Sequence, residues 1–159
     1  RRGYPLSVFT QAVYALAERN IPVVVHIILG LPGESRETVL RTIDYLNRLP
    51  IQGVKLQLLH VLSDSDLADL YRAGEYTPLE KEEYLTLVGD CIAHLRADIV
   101  LHRLTGDGDK NTLLAPLWSL RKRDVLNHLH RYLKENHIRQ GMSCKIDLSV
   151  IYNKPKDVL

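Results

Sequence analysis

Three stretches of the chain set glycines or polar side chains directly after apolar runs, and chemistry is expected at these places. The first is His26-Ile27-Ile28-Leu29-Gly30-Leu31-Pro32-Gly33-Glu34. Its two glycines remove side chains from a turn and let a ligand approach the backbone closely, although the same residues also make an ordinary tight turn. The second, Gln57-Leu58-Leu59-His60-Val61-Leu62, places His60 among apolar residues. An imidazole there can accept a proton, orient a ligand or bond a backbone carbonyl. The third, His102-Arg103-Leu104-Thr105-Gly106-Asp107, is a polar cluster leaving an apolar run. Packing alone explains it poorly, because a buried arginine needs a partner. His60, His102 and Arg103 are therefore the candidate catalytic or substrate-contacting residues.

Other constellations carry less. His128 and His130 are two apart on a helical stretch and point in different directions, so they cannot share a metal. Asp107 and Asp109 flank Gly108 but lack the ligand run and closing glutamate of a calcium loop. Arg121, Lys122, Arg123, Arg131, Lys134 and Arg139 make the last helix basic on one side. Such a side fits a solvated face or contact with RNA phosphates.

The elements that must position these residues follow from periodicity. Val8, Phe9, Ala12, Val13, Leu16 and Ala17 recur at helical spacing over 7–20. Residues 21–29 form a nearly unbroken Val/Ile run, the pattern of a strand covered on both faces in a parallel sheet. Ser35 caps a second helix whose Val39, Leu40, Ile43, Leu46 and Leu49 face inward. Residues 53–62 read as a second strand, Ser63-Asp64-Ser65 as the cap of a short helix ending at Gly74, and a longer helix begins near Pro78 with Leu85, Val88, Ile92 and Leu95 inward. A third strand spans 98–104 and a last helix 119–136. The alternation at 145–150 suggests an edge strand or packed extension. Strand, helix, strand, helix, strand predicts an α/β fold of parallel βα units, whose ligands bind outside the carboxyl ends of the strands.

The composition is that of an ordinary globular chain: 159 residues, 45% hydrophobic, net charge +2. It argues for neither a nucleic-acid partner nor a membrane surface, and no run is long enough to span a bilayer. With only Cys91 and Cys144, far apart, the reading is a reducing, cytoplasmic setting.

The residues at the exits also resemble a known family. Val25 to Glu34 resembles the fifth-strand motif of radical S-adenosylmethionine (SAM) enzymes, in which an apolar residue two before a glycine packs on the adenine of SAM; these positions are Ile28 and Gly30 here. Val54 to Leu62 is similar to the sixth strand, whose exit supplies backbone groups near the adenine, around Val61. The third exit, with Ala115-Pro116-Leu117-Trp118 after it, is similar to the YhcC/YtqA-like branch, itself related to the catalytic subunit of Elongator, a tRNA-modifying protein.

This resemblance implies a partial (β/α)6 TIM-like barrel, with residues 1–118 its carboxy-terminal half and 119–159 a helix and tail. It implies a 4Fe-4S cluster and SAM as cofactors, reductive cleavage of SAM, and hydrogen-atom abstraction from an unknown substrate. The family's Cys-x3-Cys-x2-Cys motif does not occur in these residues, so no metal ligands are assigned and the chain is expected to be a fragment, inactive alone. An open barrel edge would pair with a second copy or a covering segment. The alternative is a non-catalytic RNA-binding or protein-interaction module.

Overall fold

β-Branched residues in an unbroken run pack well on a pleated surface and poorly in a helix, and 24–29 accordingly form the first strand. The computed structural model describes residues 3–146; of the alternating stretch at 145–150, all but the first two residues lie outside them. A first helix, α1 (Leu6–Glu18), leads to β1 (Val24–Leu29), α2 (Arg36–Leu46) and β2 (Gly53–Leu58). Next come β3 (Val61–Leu62), α3 (Asp66–Arg72), α4 (Lys81–His94) and β4 (Val100–Arg103). Strand β5 (Leu113–Ala115), a 3-10 turn (Leu117–Leu120) and α5 (Lys122–Glu135) follow.

The main sheet has the order β1-β2-β4, all parallel, with Val24 opposite Gly53 and Leu29 opposite Leu58. Side chains alternate across it. Ile27, Leu29, Val54, Leu56 and Leu58 are buried in one core with Val39, Ile43 and Leu46 of α2, Leu85, Val88 and Ile92 of α4, and Val125 and Leu129 of α5. Burying each large aliphatic side chain is worth about 1.5–3 kcal/mol, so this helix-covered face is what holds the sheet. The opposite face carries His26 and Ile28, which are exposed, and Lys55 and Gln57, which are half-buried. Among the described residues neither β1 nor β4 has a strand on its outer side, so the sheet is open.

The helix ends show how local chemistry sets the boundaries. The Ser35 hydroxyl accepts the Thr38 amide as the N-cap of α2, and the Glu83 carboxylate accepts the Glu80 amide at the start of α4. Gly74 ends α3 at φ +75°, the left-handed conformation that glycine adopts freely. Ser65 does not cap α3; its hydroxyl donates to the Leu62 carbonyl instead.

Below the sheet, at the amino ends of the strands, Arg96 is 2% exposed. Its guanidinium donates to the Asn47 and Ile51 carbonyls and pairs with Asp98. The Asn47 side-chain oxygen accepts the Arg96 amide and its side-chain nitrogen donates to the His94 carbonyl, while Gln140 donates to the Arg96 and Ile99 carbonyls. The loops entering β2 and β4 are thereby tied together.

Four elements depart from expectation. The strand read over 53–62 breaks after Leu58: the Leu59 amide donates to the Leu29 carbonyl as the last rung, and the chain then turns so that Val61 lies opposite Ala115 in an antiparallel pair. The last helix starts at Lys122, because a cis Ala115–Pro116 bond and the 3-10 turn occupy 115–120. The apolar side of α1 is largely uncovered, with Val13 buried but Val8 and Leu16 exposed. Finally, the β2–β4 register shifts between Val54 and Lys55, which moves Arg103 opposite Lys55.

Candidate active site at the strand exits

The β2 and β4 exits converge. His60 follows β2 by two residues, and the loop 104–112 after β4 folds back over it. A Cβ at Gly106 would lie 2.7 Å from His60 Cε1 and 3.2 Å from the Leu58 carbonyl oxygen, and one at Gly108 would lie 3.5 Å from Cδ2. The loop can sit this close at Gly106 only because that residue lacks a side chain, whereas Gly108 is in ordinary contact with the ring. His60 Nε2 is 3.1 Å from the Ser119 hydroxyl, which donates to the Pro116 carbonyl at 2.8 Å.

Asp107 supplies the charge at this exit. One carboxylate oxygen is 2.9 Å from the Arg103 guanidinium and the other 2.7 Å from Lys122 Nζ. The hydrogen bond and charge of Lys122, aided by Arg103 and His60, hold the Asp107 carboxyl below its usual range. Burial pushes the His60 imidazole down, and Asp107 opposes that only in part, so the site favours the neutral ring. Beneath the cluster, the Tyr84 hydroxyl donates to the Leu104 carbonyl and the Trp118 indole to the Leu79 carbonyl. A neutral imidazole next to a paired carboxylate, with two cations at hand, can accept a proton and bind a polar substrate group.

His60 and Arg103 are thus brought together, with Asp107 between Arg103 and Lys122. His102 is not: its ring lies over Gly53, where a Cβ would come within 2.5 Å of Nε2, at the opposite end of β2. Asp107, which reads in sequence as part of a solvated loop, is the residue that joins the cluster. Ser119 and Lys122 were missed as members of the site. No spacing rule links position 60 to 119; the only local turn signal there is Pro116.

At the first exit Ile28 is 43% exposed on the uncovered sheet face. Gly30 has φ +90°, and a Cβ there would meet Leu79 at 3.1 Å, while its carbonyl accepts the Tyr76 hydroxyl at 2.7 Å. Packing and backbone conformation alone therefore require glycine at this position. Val61 is buried in the β3–β5 pair. Glu34 has one carboxylate oxygen buried without a hydrogen-bond partner; burial raises its pKa against the Leu31 and Gly30 amides that lower it.

With that geometry in place, comparison with known proteins assigns a class. Residues 51–135 match the Radical_SAM C-terminal domain. The chain belongs to this radical SAM family. YtqA of Bacillus subtilis is 31% identical over 140 residues, covering 88% of this chain and 44% of the relative. YhcC of Escherichia coli K12 is 30% identical over 138 residues, covering 87% and 45%. MJ0486 of Methanocaldococcus jannaschii is 33% identical over 141 residues, covering 88% and 44%. The chain thus spans less than half the length of these relatives and is YhcC-like. The solved structure of Methanocaldococcus infernus Elp3 with an N-terminal deletion superposes with a TM-score of 0.74 at 17% identity, over 88% of this chain and 33% of that one, which shows a shared fold.

The family's two cofactors fit these residues unequally. An exposed apolar Ile28 beside a sharp glycine turn, with an orphaned carboxylate oxygen at Glu34, suits one face of a nucleoside and a nearby polar group. The iron-sulfur cluster does not fit. Cys91 is buried, which pushes its thiol up to about 12, and Cys144 accepts a long hydrogen bond from Asn47. Among the described residues no three His, Cys, Asp or Glu side chains are grouped to hold a metal. No described helix is long and apolar enough to cross a membrane.

Proposed function

We propose that this chain provides the SAM- and substrate-facing carboxy-terminal part of a radical SAM enzyme whose cluster ligands lie in sequence outside these 159 residues. The observation that supports the reading is the convergence of His60, Asp107, Arg103 and Lys122 at the carboxyl ends of β2 and β4, on a sheet that also carries the exposed Ile28. Bound SAM would supply the radical chemistry of the family, hydrogen-atom abstraction from a substrate. This chain's residues would do the rest: Ile28 packs on the adenine, Gly30 and the backbone around Val61 shape the turn beside it, and His60 and Arg103 contact the substrate.

In this reading the sheet is one part of a partial barrel, and its open β1 edge is covered either by the remainder of the enzyme or by a second copy. The isolated chain is inactive. The test is anaerobic reconstitution, with iron and sulfide, of the relative-length polypeptide that contains these residues, followed by an assay for 5′-deoxyadenosine from SAM under reducing conditions. Product from that polypeptide and none from the 159 residues is the expected result. Failure of the longer polypeptide to form a cluster or cleave SAM would sink the enzyme reading. The alternative, a non-catalytic RNA-binding or protein-interaction module, draws on exposed Arg121, Arg123, Arg131 and Lys134 of the last helix. It predicts RNA affinity that falls steeply with added salt.

A further inference from the structure

The half-buried imidazole at the β2 exit is held in one of its two neutral forms by a single hydroxyl. A serine hydroxyl has one proton to give. Ser119 has two acceptors in reach, the Pro116 carbonyl at 2.8 Å and His60 Nε2 at 3.1 Å; the shorter contact favours donation to the carbonyl, which leaves the serine oxygen to accept from Nε2–H. The ring proton is then on Nε2, and Nδ1 carries a free lone pair. Nδ1 makes no hydrogen bond among the described residues, and His60 as a whole is only partly buried. Gly106 packs against the Cε1–Nδ1 edge of the ring, where a Cβ would lie 2.7 Å from Cε1 and 3.2 Å from Nδ1, so its lack of a side chain is what leaves room at that nitrogen.

We propose that Ser119 is a positioning residue that fixes the Nε2–H tautomer of His60, and that His60 Nδ1 is thereby presented at the strand exits as the hydrogen-bond and proton acceptor for a substrate bearing an N–H or O–H donor. This rests on the enzyme reading only for the word substrate; the tautomer and its cause stand on the chain's own geometry. Arg103 and Lys122 are both engaged by Asp107, and His60 Nδ1 adds an acceptor beside them. A donor-bearing ligand is the class it suits.

The test is long-range proton–nitrogen correlation spectroscopy of the folded 159-residue chain with nitrogen-15-labelled histidine, at a pH where His60 is neutral. His60 is assigned by the signals lost in His60→Gln. The expected pattern is a single Nε2–H tautomer in the wild type, a mixed or inverted pattern in Ser119→Ala, and recovery in Ser119→Thr, which keeps a hydroxyl. Circular dichroism and thermal melting of each variant show that it is folded. A wild-type Nδ1–H tautomer would overturn the proposal, as would an unchanged pattern in folded Ser119→Ala. Because no SAM is involved, an expected tautomer with no SAM cleavage by the longer polypeptide would defeat the enzyme reading and leave this one standing.

Discussion

Two arginines, one at each end of the same sheet, are handled in opposite ways. Arg96, at the amino ends of the strands, is 2% exposed, and its guanidinium meets two backbone carbonyls and Asp98. Arg103, at the end of β4, has a side chain 37% exposed and meets one carboxylate that it shares with Lys122. The first arrangement satisfies buried carbonyls and locks two loops together. The second keeps charge where water and ligands reach it. In α/β folds with parallel strands the amino ends serve stability and the carboxyl ends serve binding; here the buried arginine lies at the amino ends and the exposed one at the carboxyl ends.

The largest effect is expected from breaking the lower network. Arg96→Met leaves the Asn47 and Ile51 carbonyls buried without donors, and should cost about 3–5 kcal/mol, read as a lower urea midpoint by circular dichroism. A loss below about 1 kcal/mol would show that the two ends are not as different as the geometry says. Next, Gly106→Ala should cost about 1–3 kcal/mol as an overpacking change, since the new methyl meets His60 and the Leu58 carbonyl. Its histidine spectrum should show the His60 ring displaced; an unperturbed ring would mean that the loop opens freely.

Smaller effects belong to the exposed charges. Asp107→Asn removes both ion pairs of the upper cluster, yet these are exposed pairs worth about 0–1 kcal/mol. Its stability loss should shrink further in 1 M salt, whereas a large, salt-insensitive loss would make this cluster structural like the lower one. Last comes a direction in pH. His60 is easier to protonate in the unfolded chain than in the folded one, because burial lowers its folded pKa. Its contribution is fully present above the unfolded value near pH 6.5 and is lost as pH falls from there toward the folded pKa. Wild type should therefore lose stability below pH 6.5 relative to His60→Gln; parallel curves would refute that burial.

The same division governs what could be read without a structure. Strands β1 and β4, the body of β2 and the inward stripes of α2 and α4 were legible because each is fixed by local periodicity. His60 and Arg103 were legible as polar residues in apolar company. What escaped depends on contacts between residues far apart in sequence. Val61 pairs with Ala115, so the second strand ends sooner than its apolar run suggests. Ser119 is an isolated serine in a 3-10 turn and acquires meaning only from the histidine beside it. Strict alternation also gave no warning of the register shift that carries His102 away from the exit and over Gly53.

The tryptophan at the end of the 3-10 turn's first step has a practical consequence. Trp118 is the only tryptophan of the chain. Its indole is tethered to the Leu79 carbonyl, lies 5.6 Å from the Tyr84 ring, and immediately precedes Ser119. Excited selectively at the red edge of indole absorption, it acts as an intrinsic reporter of the β2–β4 exit. The emission colour and quenching of one native fluorophore can therefore report whether an added compound changes that exit, without a label.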